Sequence, residues 1–195
     1  MNLRLLTVFI ALSLFAGPVT AQSNDGEKKL DGSKYAVWAI APVHLFESII
    51  GTSVSYEHGI DPNGIITYTA LAMGGVDLTK RYNSSRASGD GMFFVMPGLK
   101  FYPTGSMGRT KYAIGPSMVV GFGQKTDYDS NYPSDRVSSR FILGVLLSNS
   151  LNYRFSHVYL GIDYGLGFSY MDRYDGRNQG SQFINQLAIK IGYIR

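Results

Sequence analysis

Cysteine is absent from this sequence of 195 residues, and only 16% of the residues carry a charge. A disulfide framework, a lipid-modified N-terminal cysteine and a thiol or Cys-ligated zinc site are therefore excluded. The formal net charge of +4 is too small to indicate a nucleic-acid partner. Long apolar runs are also missing, because the longest, residues 5–16, is shorter than the about 20 residues that a membrane-spanning helix needs.

The N-terminal segment has the features of an export signal. A basic start ending at Arg4, the apolar run and the small-residue sequence VTA predict a cleavable signal peptide at residues 1–21. Residues 22–33 are polar and show no periodicity, which predicts a flexible periplasmic lead-in. Residues 34–195 then form the folded domain.

Glycine and aromatic residues are abundant, with 23 Gly, 14 Tyr and 11 Phe, which favours strands and tight turns over helices. Alternating apolar and small or polar residues mark eight strand-like runs. These runs lie at about 34–43, 48–58, 65–75, 92–102, 111–124, 139–154, 158–171 and 182–194.

The connections between these runs are sorted by length. Apart from the first, HLFE, the odd-numbered connections are long and fall at 76–91, 125–138 and 172–181, whereas the even-numbered ones are shorter. A transmembrane barrel has this pattern, with long loops outside the cell and tight turns in the periplasm. We therefore predict an all-β fold, an eight-stranded antiparallel up-and-down transmembrane β-barrel with both termini in the periplasm.

The two faces of each run identify the side that contacts lipid. In VYLGIDYGLGFSY, residues 158–170, one face carries Leu160, Ile162 and Leu166, and the other carries Asp163 among glycines and serine. Small residues suit the crowded interior of an eight-stranded barrel, so the bulky apolar face points outward. An apolar belt of this size would be an aggregation hazard in water.

Aromatic residues on the outward face should form two girdles at the membrane interfaces. The residues expected near the periplasmic strand ends are Tyr56, Phe101, Tyr112, Tyr153 and Tyr193. Those expected near the outer ends are Phe93, Phe122, Phe141, Phe168, Tyr170 and Phe183.

Several charged residues fall on the inward face, where an unpaired charge is costly. We therefore predict a structural salt-bridge and hydrogen-bond network in the lumen, and place Arg140 near the outer rim. A proton or ion pathway through a narrow pore is the alternative for the same residues. The predicted network comprises Glu57, Lys100, Arg154, Asp163 and Lys190.

The phrases APVHLFESIIGTSVSYEHGI, PGLKFYPTG, YAIGPSMVVGFG and LAIKIGYIR resemble small eight-stranded outer-membrane barrels of the OmpA-membrane-domain and OmpX type. They are especially similar to barrels abundant in Bacteroidetes. The resemblance implies the outer membrane of a Gram-negative bacterium, contact with its lipids and lipopolysaccharide, and insertion by the barrel-assembly machinery. It implies no assigned chemistry and no cofactor.

A lipid A-modifying hydrolase is a second interpretation, because a base near a hydroxyl is the minimum for an activated nucleophile. His44, Glu47 and Ser48 lie together at the outer side in HLFES, whereas Ser156 and His157 fall in a periplasmic turn. A full site also needs an orienting acid and oxyanion donors, which spacing does not supply. We predict no catalytic residue.

Metal binding is weakly indicated in the loop TDYDSNYPSD, where Asp127, Asp129 and Asp135 meet the calcium-loop pattern only in part. We expect no metal site and no cofactor. The leading prediction is a non-enzymatic barrel with a structural or surface-interaction role through its three long loops, and the surface ligand is left open.

Overall fold

The computed structural model describes residues 36–77, 90–103, 109–127, 136–174 and 176–195, and all regular structure within them is β-strand. The predicted signal peptide, the lead-in and the middle parts of two long loops lie outside the described residues. Eight long strands are present, and a two-residue strand, Arg177–Asn178, pairs with the end of the seventh. The long strands are β1 Ala36–Phe46, β2 Ile49–Gly59, β3 Ile66–Asp77, β4 Asp90–Phe101, β5 Thr110–Asp127, β6 Arg136–Phe155, β7 Val158–Tyr174 and β8 Gln182–Ile194.

Each long strand pairs antiparallel with the next along the chain, and β8 pairs with β1 to close the sheet. The predicted eight-stranded antiparallel barrel is confirmed. Closure satisfies the backbone hydrogen bonds at both edges of the sheet, which is what a strand-built membrane protein requires. The described residues include no helix that is long and apolar enough to cross a membrane.

The first strand is longer than the sequence pattern indicates. We expected a connection at HLFE, but β1 continues to Phe46 and the turn to β2 is only Glu47 and Ser48. The register shifts between Ala41 and His44, so two consecutive residues face outward at this bulge. The bulge turns His44 inward, into the barrel rather than into an outer loop.

A second bulge lies in β7. Leu143 of β6 pairs with Met171 and Gly144 pairs with Ser169, which leaves Tyr170 without a direct partner. Strict alternation would place Asp172 on the outward face with Leu160. The bulge reverses the facing after Tyr170, and Asp172 is buried in the barrel.

The barrel interior holds an apolar layer between two polar regions. Along β4 the inward residues run from Lys100 through Met96 to Phe94 and Met92. The rings of Phe46 and Phe94 lie 4.5 Å apart, and a Cβ on Gly121 would come within 2.5 Å of the Phe94 ring. The apolar layer consists of Phe46, Ile49, Leu71, Met73, Met92, Phe94, Met96, Val119, Ile142, Leu146 and Ile184.

Candidate functional site

Four buried charged side chains from four strands form a cluster inside the barrel, which we call the interior charge cluster. It consists of Glu57, Lys100, Asp163 and Lys190. Lys100 Nζ lies 3.2 Å from Glu57 Oε2 and 3.8 Å from Asp163 Oδ2. Lys190 Nζ lies 2.5 Å from the same oxygen of Asp163. Two carboxylates and two ammonium groups balance, so the desolvation cost of each charge is offset by its neighbours.

Neutral side chains complete the hydrogen bonding of Glu57. The hydroxyls of Tyr102 and Thr67 both donate to Glu57 Oε1. Neither Tyr102 nor Thr67 was predicted to join the network, although continuing the alternation beyond Lys100 turns Tyr102 inward. Multiple donors to one buried carboxylate favour its ionised form and hold its orientation.

The aromatic ring of Tyr159 lies beside the cluster. Its centroid is 6.0 Å from Lys190 Nζ, a cation–π geometry at the long end of the range. Gly192 makes room for this ring, because a Cβ there would lie only 1.9 Å from Tyr159 Cε1. Gly192 and Tyr159, which are opposite each other on the paired strands β8 and β7, therefore pack together next to the interior charge cluster.

Arg154, the fifth residue expected in the network, lies elsewhere. It sits one residue before the end of β6, is only partly buried, and its Nε donates to the carbonyl oxygen of Ser156 at 2.9 Å. Alternation along β6 assigned its facing but not its distance from the barrel end. The structure brings together the other four predicted residues and leaves Arg154 at the β6–β7 turn.

The candidate hydrolase residues are not brought together. His44 is fully buried, with Nδ1 2.9 Å from Ser53 Oγ and Nε2 3.3 Å from Gln186 Oε1. Because an amide oxygen only accepts, His44 Nε2 carries a proton in this arrangement. Ser48 instead donates to Asp77 Oδ1 at 2.8 Å.

The second Ser–His pair lies at the opposite end of the barrel. Ser156 Oγ is 3.0 Å from His157 Nδ1, and both residues are exposed in the two-residue turn between β6 and β7. They are neighbours in sequence, and the bond holds the turn in which Ser156 has a φ of 51°. The Ser156–His157 contact is therefore a local hydrogen bond within an exposed turn, and these two residues are not set in a pocket.

A second group of charged residues, Arg140, Asp172 and Glu47, lies at the rim at the long-loop end. Arg140 Nε and Nη2 donate to the two oxygens of Asp172 at 3.0 and 2.7 Å, a bidentate pair. Arg140 Nη2 also lies 3.9 Å from Glu47 Oε2. Burial raises the pKa of the Glu47 carboxyl, and the charge of Arg140 opposes that shift. Arg140 therefore lies near the rim, as expected, and pairs with Asp172. Simple alternation along β7 would have placed Asp172 on the outward face.

The described residues contain no group of three or more His, Asp or Glu side chains placed to hold a metal ion. Of the three aspartates in the partial calcium pattern, Asp129 and Asp135 lie outside the described residues. Asp127 is the last residue of β5.

All eleven predicted girdle residues lie on the outward face, although Tyr56 and Phe141 are half-buried there. Several pack in pairs across neighbouring strands, such as Phe93 with Phe122 and Phe168 with Phe183. Trp38, which was not among the predicted girdle residues, is also exposed, and its ring centroid lies 4.6 Å from that of Tyr56.

The distance between the girdles follows from strand geometry. On β6, Tyr153 and Phe141 are twelve residues apart. At about 3.3 Å per residue and a tilt of about 40°, the two levels are roughly 30 Å apart along the barrel axis. The hydrocarbon core of a typical bilayer has this thickness.

Solved structures with the same architecture are known. Neisserial surface protein A matches with a TM-score of 0.53 at 14% identity, over 83% of this chain and 97% of that one. A major outer membrane protein from Thermus thermophilus matches with a TM-score of 0.58 at 13% identity, over 83% of this chain and 98% of that one. This chain has the fold of a small outer-membrane β-barrel. No protein-family model and no curated protein matches the sequence.

Proposed function

We propose that this chain is an integral outer-membrane barrel of a Gram-negative bacterium, exported by a signal peptide at residues 1–21. Its role is structural or lies in surface interaction, through the loops at 76–91, 125–138 and 172–181. The observation that carries this proposal is the outward belt of large apolar side chains between two levels of aromatic rings. Such a surface is stable against acyl chains and unstable in water.

The proposed partners follow from this location. Outer-membrane lipids contact the apolar belt, and the barrel-assembly machinery inserts it. Exposed arginines at the long-loop end, such as Arg173 and Arg177, suit the phosphate groups of lipopolysaccharide. Arg81 and Arg86, in the loop at 76–91, lie outside the described residues, and we propose the same role for them from their sequence position alone.

Membrane fractionation with gel migration tests the proposal. The protein should partition with the outer membrane, and its unboiled form should migrate differently from the boiled form because folded barrels resist the detergent. Recovery in the soluble periplasmic fraction, or identical migration with and without boiling, would contradict it.

The lipid A hydrolase interpretation is tested separately. Because His44 is buried with Ser53 and Gln186, and Ser48 is bound to Asp77, neither is set to attack a lipid ester. We expect cells carrying His44→Ala or Ser48→Ala to produce the same lipid A mass spectrum as cells with the unchanged protein. Loss of a deacylated or acyl-transferred species in either variant would establish the enzyme.

The narrow-pore interpretation is opposed by the apolar layer that fills the lumen around Phe46 and Phe94. The protein reconstituted in a planar bilayer should show no unitary conductance. Stable single-channel steps from the purified barrel would favour the pore.

A further inference from the structure

Three buried side-chain oxygens on the inward face of β6 and β7 have no hydrogen-bond partner. They are Oγ of Ser150, Oδ1 of Asn152 and Oδ1 of Asp163. The three residues are 1%, 8% and 4% exposed. A buried polar atom without a partner is costly, and native proteins contain few of them. Three such atoms on two paired strands indicate that a bound molecule completes their hydrogen bonding.

The register of the sheet brings these residues together. Ser150 of β6 is directly opposite Asp163 of β7, and its hydroxyl lies close to the carboxylate without hydrogen-bond geometry. Asn152 is directly opposite Gly161, and a Cβ on that glycine would lie 2.3 Å from Asn152 Oδ1. The amide oxygen therefore lies over Gly161, one inward position along β7 from Asp163. Opposite residues are about 5 Å apart and alternate residues of a strand about 7 Å apart, so the three oxygens border one small space.

The neighbouring ammonium groups do not supply the missing donors. Lys190 Nζ lies 2.5 Å from Asp163 Oδ2, the other oxygen of that carboxylate, and Lys100 Nζ lies 3.8 Å from it. Lys111 of β5 is directly opposite Asn152, but no hydrogen bond reaches Asn152 Oδ1. The donor to these oxygens is therefore not one of the lysines.

Charge and hydrogen-bond type decide the chemistry of the ligand. The Oδ1 atoms of Asn152 and ionised Asp163 only accept, so an anion is excluded and the ligand must donate. A metal cation on Asp163 Oδ1 would lie beside the two ammonium groups that already contact this carboxylate, and like charges repel strongly in a low-dielectric interior. A neutral molecule with two donors and one acceptor position satisfies all three atoms. Water is the smallest molecule of this kind.

We infer that one water molecule is bound between β6 and β7, where it donates to Asp163 Oδ1 and Asn152 Oδ1 and accepts from the Ser150 hydroxyl. Three hydrogen bonds are the usual number for a buried water. With hydrogen bonds of about 2.8 Å, one water bridges oxygens up to about 5.5 Å apart, which matches the spacing of opposite residues. The four charges of the interior charge cluster come from β2, β4, β7 and β8, and the water links β6 to them. The site lies inside the barrel, so this inference is independent of the proposed membrane location.

A crystal structure of the purified full-length barrel, grown in the presence of rubidium chloride, tests the ligand directly. We expect one density peak within about 2.6–3.2 Å of the three oxygens, without anomalous signal at the rubidium absorption edge. An anomalous peak would show that the ligand is a monovalent cation and overturn the inference. Direct hydrogen bonds among the three side chains, with no density between them, would overturn it as well.

Asn152→Leu separates a water-bound amide from an unpaired one, because leucine has nearly the size of asparagine. Removing an unpaired acceptor would leave the unfolding equilibrium constant unchanged or lower it. With water bound, the variant loses a hydrogen bond, and the constant should rise about threefold to tenfold in urea unfolding. An unchanged or lower constant would refute the bound water.

Ser150→Ala tests whether the two side chains share one ligand. Because both hold the same water, the effects of Ser150→Ala and Asn152→Leu should not multiply when they are combined. Ser148→Ala is the matched control on the same face of β6, since its hydroxyl lies 3.3 Å from Ser117 Oγ, a partner of its own. Its effect should multiply with that of Asn152→Leu. Independent effects from Ser150→Ala would contradict a shared water.

Discussion

Asp163 on β7 and Lys190 on β8 form an ion pair inside the barrel, with 2.5 Å between Oδ2 and Nζ. The same carboxylate oxygen lies 3.8 Å from Nζ of Lys100, which comes from β4 on another side of the lumen. One buried carboxylate oxygen therefore lies within ion-pair distance of two ammonium groups, from strands that do not pair with each other. These contacts link separate parts of the barrel wall, so their loss should lower the stability of the whole barrel.

Replacing Asp163 with leucine should leave Lys100 and Lys190 facing only Glu57. Removing one partner of a buried pair typically costs about 3–5 kcal/mol, and we expect the free energy of unfolding to fall by that amount. The measurement is urea unfolding of the barrel in lipid vesicles, followed by the heat-modifiable band. The double variant Asp163→Leu, Lys190→Met removes one charge of each sign and should recover much of the loss. If it is as unstable as the single variant, charge pairing is not the cause.

The loss of stability caused by an arginine on the lipid-facing side should depend on how deep in the membrane the residue lies. Ile189 of β8 lies between Phe183 and Tyr193, whereas Leu160 of β7 pairs with the girdle residue Tyr153. We expect Ile189→Arg to lower stability by roughly 2–4 kcal/mol and Leu160→Arg by about 0–1 kcal/mol. The same unfolding assay compares them. An equal cost at the two positions would be inconsistent with a membrane bounded by these girdles.

The fit of Tyr159 over Gly192 should make the two positions interdependent. A side chain at residue 192 overlaps the ring, so Gly192→Val should lower stability by about 1–3 kcal/mol. With Tyr159→Ala present, the valine has room, and the combined loss should be smaller than the sum of the two single losses. Strictly additive losses would show that the ring does not limit the size of residue 192.

The orientation of the barrel is tested by epitope tags at two described positions, one towards each end of the barrel. Asn178 lies in the long-loop end, and Asn63 lies in the turn between β2 and β3, where its N–H donates to Asp61. Antibody on intact cells should reach a tag at Asn178, because exposed polar loops accept insertions. A tag at Asn63 should be detected only after the outer membrane is opened. The reverse pattern would invert the proposed topology.

The fold could be predicted from the sequence because alternation and loop length are local properties. Period-2 patterns in β5, β6, β7 and β8 assign each side chain to a face without reference to other strands. The crowded lumen and the apolar exterior then follow from residue size. The outward positions of Leu160 and Ile162 and the inward position of Asp163 were all obtained in this way.

Two bulges mark where local inference failed. The bulge before His44 and the one at Tyr170 each reverse the alternation, so Phe46 and Asp172 turn inward. No residue type in the sequence signals the reversal at Tyr170. It is set by the pairing of β6 with β7, which leaves one residue of β7 without an opposite partner.

The sequence by itself determined that eight strands close into a barrel with apolar residues outside and small or polar residues inside. Only the tertiary structure decided which of the inward charges meet. Glu57, Lys100, Asp163 and Lys190 come from four strands, and their contacts depend on the stagger of the whole closed sheet. Arg154 has the same facing but lies beyond them at the barrel end. The pleat of a single strand fixes whether a side chain points into the lumen or outward. Its position along the barrel axis depends on the register of all eight strands.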